Sequence, residues 1–103
     1  MPALSHDQLA LVAEAFRLLG DPTRLRIVIY CLDGPKPVGE IAATLGLSQT
    51  LVSQHLRLLR NARLVRAERR SRHVYYEIAD SHISHLLSDM AEHVTEDHPQ
   101  PYP

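Results

Sequence analysis

The chain has only one cysteine, Cys31, so it can form no intramolecular disulfide and no thiolate cluster for a metal. A buried helical position is the expected place for it. No stretch approaches the roughly 20 apolar residues that a membrane span needs, and Met1 to Gln8 lacks both a basic leader region and a long apolar run. These absences predict a cytoplasmic protein with no membrane partner. At 103 residues and 45% hydrophobic content the chain can build one modest core, and a second copy would let it bury more surface. One domain is expected over residues 1–98, and 99–103, which holds Pro99, Pro101 and Pro103, reads as a disordered tail.

Acidic residues are scarce where basic ones are dense, and the reverse. From Arg57 to Arg72 there are seven arginines (Arg57, Arg60, Arg63, Arg66, Arg69, Arg70 and Arg72) against one acid, Glu68. From Glu77 to Asp97 there are six acids and neither lysine nor arginine. The net charge of −1 conceals this segregation, which predicts a basic surface for phosphate and a separate acidic surface for cations.

Local signals outline four helices up to Asn61. Ser5 with Gln8 is a capping box, and Leu9, Val12, Ala13, Phe16 and Leu19 recur at helical spacing up to Gly20. Asp21-Pro22 supplies an N-cap and a first-turn proline for a second helix, which ends at Asp33-Gly34-Pro35. Its run Ile27-Val28-Ile29 would suit a strand, but the entry signals and the length favour a helix. Val38 to Leu45 reads as a short helix stopped by Gly46, with Ile41, Ala42 and Leu45 inward. Ser48 then caps a longer helix with Leu51, Val52, Leu56 and Leu59 apolar.

Two helices joined by a tight glycine-containing turn predict a helix-turn-helix. Gln49, Thr50, Ser53 and Gln54 are the polar groups at the start of its second helix, suited to base edges in a major groove. After Asn61 the pattern alternates, Leu64 to Arg69 and then His73 to Ile78, around the tip Arg70-Ser71-Arg72. Tyr75 and Tyr76 alternate along that second strand, so one of them should pack inward. The expected fold is mainly α with a β-hairpin wing, a winged helix-turn-helix. Arg69, Arg70 and Arg72 are candidate phosphate contacts, as is His55, for which packing is the alternative; Arg57 is a candidate phosphate contact too, though like Arg60 it could instead be a solvated helix arginine.

Asp80 caps a last helix that carries His82, His93 and Glu96. These three fall on one helical face, yet at about 1.5 Å rise per residue the two histidines stand roughly 16 Å apart. No single ion reaches both. Antiparallel pairing of two copies about a two-fold axis would bring Asp80 and His82 of one chain opposite His93 and Glu96 of the other, twice. Two imidazoles and two carboxylates suit zinc or a neighbouring divalent transition ion such as cobalt. Nickel usually takes a larger shell and would need recruits such as His98, His6 or the N-terminal amine. An intrachain set, His82 with His85 and Asp89, is the alternative site; a solvated polar face is the plain one. The opposite stripe of Ile83, Leu86, Leu87, Met90 and Val94 suits packing in the core or a dimer.

LLGDPTRLRI at Leu18 to Ile27, VGEIAATLGLSQTLVSQHLRLLRNARLV at Val38 to Val65, RHVYYEI at Arg72 to Ile78 and DSHISHLLSDMAEHVTE at Asp80 to Glu96 together resemble the ArsR/SmtB family of metal-sensing winged-helix repressors. The last segment matches the D-x-H, H-x-x-E pattern of the subgroup whose metal lies between C-terminal helices. Where cysteine-using relatives place thiolates, this chain has Pro37-Val38-Gly39. The resemblance implies a homodimer on an inverted-repeat operator in double-stranded DNA, released when a divalent metal binds. It implies also that His93 links through its second ring nitrogen to the backbone carbonyl of Arg63. No small organic substrate is expected. A winged-helix regulator that ignores metal is the alternative; an enzyme is disfavoured because four protein ligands would close the shell of a zinc ion.

Overall fold

A computed structural model describes residues 1–96; the expected tail, 99–103, and His98 lie outside them. Helix α1 spans His6–Leu19 behind a complete capping box. The Ser5 hydroxyl accepts the Gln8 backbone N–H at 3.1 Å, and Gln8 Oε1 accepts that of Ser5 at 2.9 Å. Helix α2, Pro22–Tyr30, opens under Asp21, whose carboxylate accepts the Arg24 backbone N–H at 2.9 Å. That N–H, donated to the charged form, holds the Asp21 carboxyl below its usual range. The Ile27-Val28-Ile29 run is helical, and α2 ends three residues before the expected stop, with Cys31 as its C-cap.

Helix α3, Val38–Leu45, and helix α4, Gln49–Asn61, form the helix-turn-helix. Gly46, at φ 70°, ends α3 in the left-handed conformation that glycine adopts without steric cost. The Ser48 hydroxyl caps α4 by accepting the Leu51 N–H at 3.1 Å. Side chains of α2 fix this unit. Tyr30 donates its hydroxyl to Glu40 Oε2 at 2.5 Å, and Arg26 donates to the Leu45 carbonyl at 3.3 Å.

Strands β2, Val65–Arg70, and β3, His73–Ile78, pair antiparallel as the wing. Arg70, expected at the tip, is the last residue of β2, so the turn is Ser71-Arg72, with Ser71 at φ 57°. The sheet also has a strand that the residue pattern did not indicate. β1, Lys36–Pro37, joins the free edge of β3, Pro37 opposite Tyr75, and an edge is where a strand tolerates proline. Helix α5, Ser81–Thr95, follows.

The core draws Leu18 and Leu19 from α1, Ile27, Val28 and Cys31 from α2 and its cap, Ile41 and Ala42 from α3, Val52, Leu56 and Leu59 from α4, Leu64 and Val65 from the approach to the wing, and Leu87 from α5. Tyr76 packs against this cluster and Tyr75 does not, as their alternation predicts. Burial pushes the Cys31 thiol up to about 11. Leu51 is exposed, unlike the other apolar residues of α4 expected to pack inward.

Two apolar faces are left outside. On α1 only Leu19 of the expected stripe is buried, whereas Leu9, Val12 and Phe16 face solvent, Phe16 at 57% exposure. On α5 Leu87 is buried and Ile83 packs on the core, but Met90 and Val94 are exposed. Both helices therefore hold the domain by one part of their apolar surface and present the rest outward.

Candidate functional site

Burial divides α4 into two faces. Val52, Leu56 and Leu59 lie against the core, while Gln49, Thr50, Ser53, Gln54, Arg57 and Arg60 are exposed. The first four, from the opening turns of α4, are short or amide side chains with donors and acceptors toward solvent, as readout of base edges requires. Gly39, at the start of α3, lies so near Gln49 that a Cβ there would stand 3.7 Å from Gln49 Nε2.

His55 occupies a flank of α4 and is half-buried. Its Nδ1 accepts the Arg24 Nε–H at 3.2 Å, so packing against α2 accounts for one ring nitrogen. Sequence patterns gave no reason to single out Arg24. Only the contact across 31 positions reveals it, and no local spacing carries such a signal.

The wing arginines differ in what holds them. Arg66 Nε is paired with Glu77 Oε1 across the strands at 2.6 Å. Arg70 contacts Glu68 at 3.4 Å and lies over the Tyr75 ring. Arg69 and Arg72 are exposed and make no ion pair among the described residues. With Arg57 and Arg60 they supply solvent-facing positive charge along α4 and the wing, the form of charge that neutralises phosphate.

The candidate metal ligands occupy opposite ends of α5. Asp80 Oδ1 accepts the Ile83 N–H at 3.1 Å as N-cap and lies 3.6 Å from His82 Nδ1. One carboxylate and one imidazole thus already share a location, and the His82 side chain is 92% exposed. His93 stands in the last turn and Glu96 is the C-cap. Among the described residues no three His, Cys, Asp or Glu side chains converge within the chain, and that includes the His82, His85 and Asp89 alternative. The donor types fit a borderline divalent ion, but one chain presents them as two halves.

Arg63 follows the end of α4 with φ 62°, and the Leu64 N–H closes that end by bonding the Leu59 carbonyl at 2.9 Å. This is the left-handed helix ending that usually takes glycine. It lines an open cleft of about 370 Å³ with Leu11, Val12, Leu58 and Ile83.

No helix among the described residues is long and apolar enough to cross a membrane. The family described as bacterial regulatory protein, arsR family, matches residues 21–67, from the α2 cap through the helix-turn-helix into the wing. A transcriptional repressor SmtB homolog of Synechocystis is 40% identical over 93 residues, which span 90% of this chain and 70% of that protein. The HTH-type transcriptional regulator NmtR of Mycobacterium tuberculosis is 37% identical over 90 residues, 87% of this chain and 75% of that one. Among solved structures, the homodimeric winged helix-turn-helix DNA-binding domain Mb0332 of Mycobacterium bovis matches with a TM-score of 0.82 at 28% identity, over 97% of this chain and 99% of that one. Apo-NmtR matches with a TM-score of 0.75 at 32% identity, over all of this chain and 89% of its own. The fold, the exposed face of α4 and these likenesses agree: the chain belongs to the arsR family of bacterial regulatory proteins and is a winged-helix DNA-binding regulator, not an enzyme.

Proposed function

We propose that this protein is a homodimeric, cytoplasmic transcriptional repressor that leaves an inverted-repeat operator when a divalent transition metal, zinc before cobalt or nickel, binds between its two α5 helices. The observation that carries the reading is the split of the ligand set. Asp80 and His82 are adjacent at one end of α5, and His93 and Glu96 close the other. A second copy in antiparallel register completes two sites of two imidazoles and two carboxylates each. The exposed faces of α1 and α5, with Phe16, Met90 and Val94, support a dimer that buries both helices.

Gln49, Thr50, Ser53 and Gln54 then read bases, while Arg57, Arg69, Arg70 and Arg72 meet phosphates and His55 offers its remaining ring nitrogen to the backbone. In the dimer each α4 enters one major groove, so the spacing of the two helices decides whether both engage. Asp80 and His82 of one chain with His93 and Glu96 of the other would hold the ion, and an ion held there would link the α5 helices and so restrict that spacing. An ion that binds the arrangement poor in DNA affinity more tightly than the DNA-binding one must weaken DNA binding by the same coupling free energy by which DNA weakens ion binding. The Arg63 carbonyl, at the junction of α4 and the wing, is the proposed acceptor for the second ring nitrogen of His93. DNA release from the chain's own promoter region, followed as zinc, cobalt and nickel are added in turn, tests the reading. Release by none of them would leave a winged-helix regulator that does not respond to these metals.

A further inference from the structure

Arg70 differs from the other wing arginines because two neighbours on one face of the hairpin hold it. Its guanidinium carbon lies 5.2 Å from the centre of the Tyr75 ring, and Nη2 donates to Glu68 Oε2 at 3.4 Å. The register explains the group: Glu68 is directly opposite Tyr75, and Arg70, two residues on, projects from the same face. Glu68 is also the single acid between Arg57 and Arg72.

The two contacts use different parts of the guanidinium. The ring lies against the guanidinium carbon and takes up none of its N–H donors. The carboxylate meets one donor nitrogen, Nη2, with the same kind of anionic oxygen that a DNA phosphate presents. Both partners of the ion pair are about half exposed, at 51% and 56%, so water screens it and exchange is easy. The Arg66 pair contrasts with it, being shorter and set against a Glu77 side chain only 21% exposed.

We infer that Tyr75 and Glu68 are positioning residues for Arg70: the ring holds the guanidinium in place, and the carboxylate engages its Nη2 until a DNA phosphate displaces it. The inference rests on the reading that the wing touches DNA. It makes Glu68 an internal competitor for the phosphate site and sets the wing's affinity below what its arginines alone would give.

Binding of a fluorescein-labelled random-sequence duplex, read by anisotropy, tests this without knowledge of the operator. Glu68→Gln should tighten binding about two- to fivefold, the worth of an exposed ion pair. The same change in an Arg70→Gln background should give no gain, because the competitor acts only through Arg70. Tyr75→Phe keeps the ring and should bind as the parent does, whereas Tyr75→Leu should weaken binding about two- to fivefold. A gain from Glu68→Gln that persists without Arg70 would show a mere general charge effect and overturn the inference, as would Tyr75→Leu binding as tightly as Tyr75→Phe. If Arg70→Gln alone changed neither affinity nor salt dependence, the wing reading itself would fail.

Discussion

Asp80 serves two neighbours with one oxygen: Oδ1 accepts the Ile83 N–H at 3.1 Å and stands 3.6 Å from His82 Nδ1. The cap ties the candidate ligand to the start of α5, so the helix terminus and half of the proposed metal site are one arrangement. The other carboxylate oxygen takes no part in either contact.

The two roles separate by substitution. Asparagine caps helices as well as aspartate does, so Asp80→Asn should leave thermal stability nearly unchanged yet remove tight metal binding. Asp80→Ala should lose metal binding as well and also about 0.5–2 kcal/mol of stability. Paired denaturation and metal titrations check both. Full metal affinity in Asp80→Asn would remove Asp80 from the ligand set.

Phe16 distinguishes a dimer face from a core face. At 57% exposure in the single chain, Phe16→Glu should leave the helical spectrum intact while sedimentation shows monomers. A dimer that survives this change would place the interface away from α1.

The DNA-facing elements should fail in different ways. Gln49→Ala or Ser53→Ala should change base preference, each good base interaction being worth about 1–3 kcal/mol. Arg72→Gln should weaken binding to all sequences alike and lower the salt slope by about one unit. Binding-site selection and salt titrations separate the two; the reverse pattern would exchange the roles of α4 and the wing.

Cys31 should be inert while the protein is folded. Burial raises its thiol from 9.0 to about 11, so a thiol reagent at pH 8 should react only as fast as the domain opens. The folded state holds this proton more tightly than the unfolded one. Its stabilisation is whole below pH 9 and is lost as pH rises toward about 11. A Cys31→Ala variant, compared with the parent across that window, should lack this component of the decline.

Much of the fold was legible because its signals are local. The Ser5–Gln8 box, the Asp21-Pro22 entry, Gly46 and Ser48 each act within a few residues, and each does in the structure what its chemistry predicts. β1 was not legible as a strand: Pro37 biases Lys36 toward an extended conformation locally, but the pairing with Tyr75 and Tyr76 that makes it a strand is tertiary. The α1 stripe was legible as a stripe but not in its direction, since helical period cannot say which neighbour covers it. Arg24 was hidden for the same reason as β1. The ligand types at Asp80, His82, His93 and Glu96 were plain in the sequence, whereas their proposed convergence needs two chains and is absent from the described residues of one.

The central claim is that each site draws on both chains, and metal stoichiometry in mixed dimers tests it most directly. His82→Ala and His93→Ala homodimers should each bind no metal tightly. In a verified heterodimer of the two, one site retains all four ligands and the other only two carboxylates, so the account predicts one tightly bound ion per dimer. No recovery in the heterodimer, or an intact site in either homodimer, would contradict it.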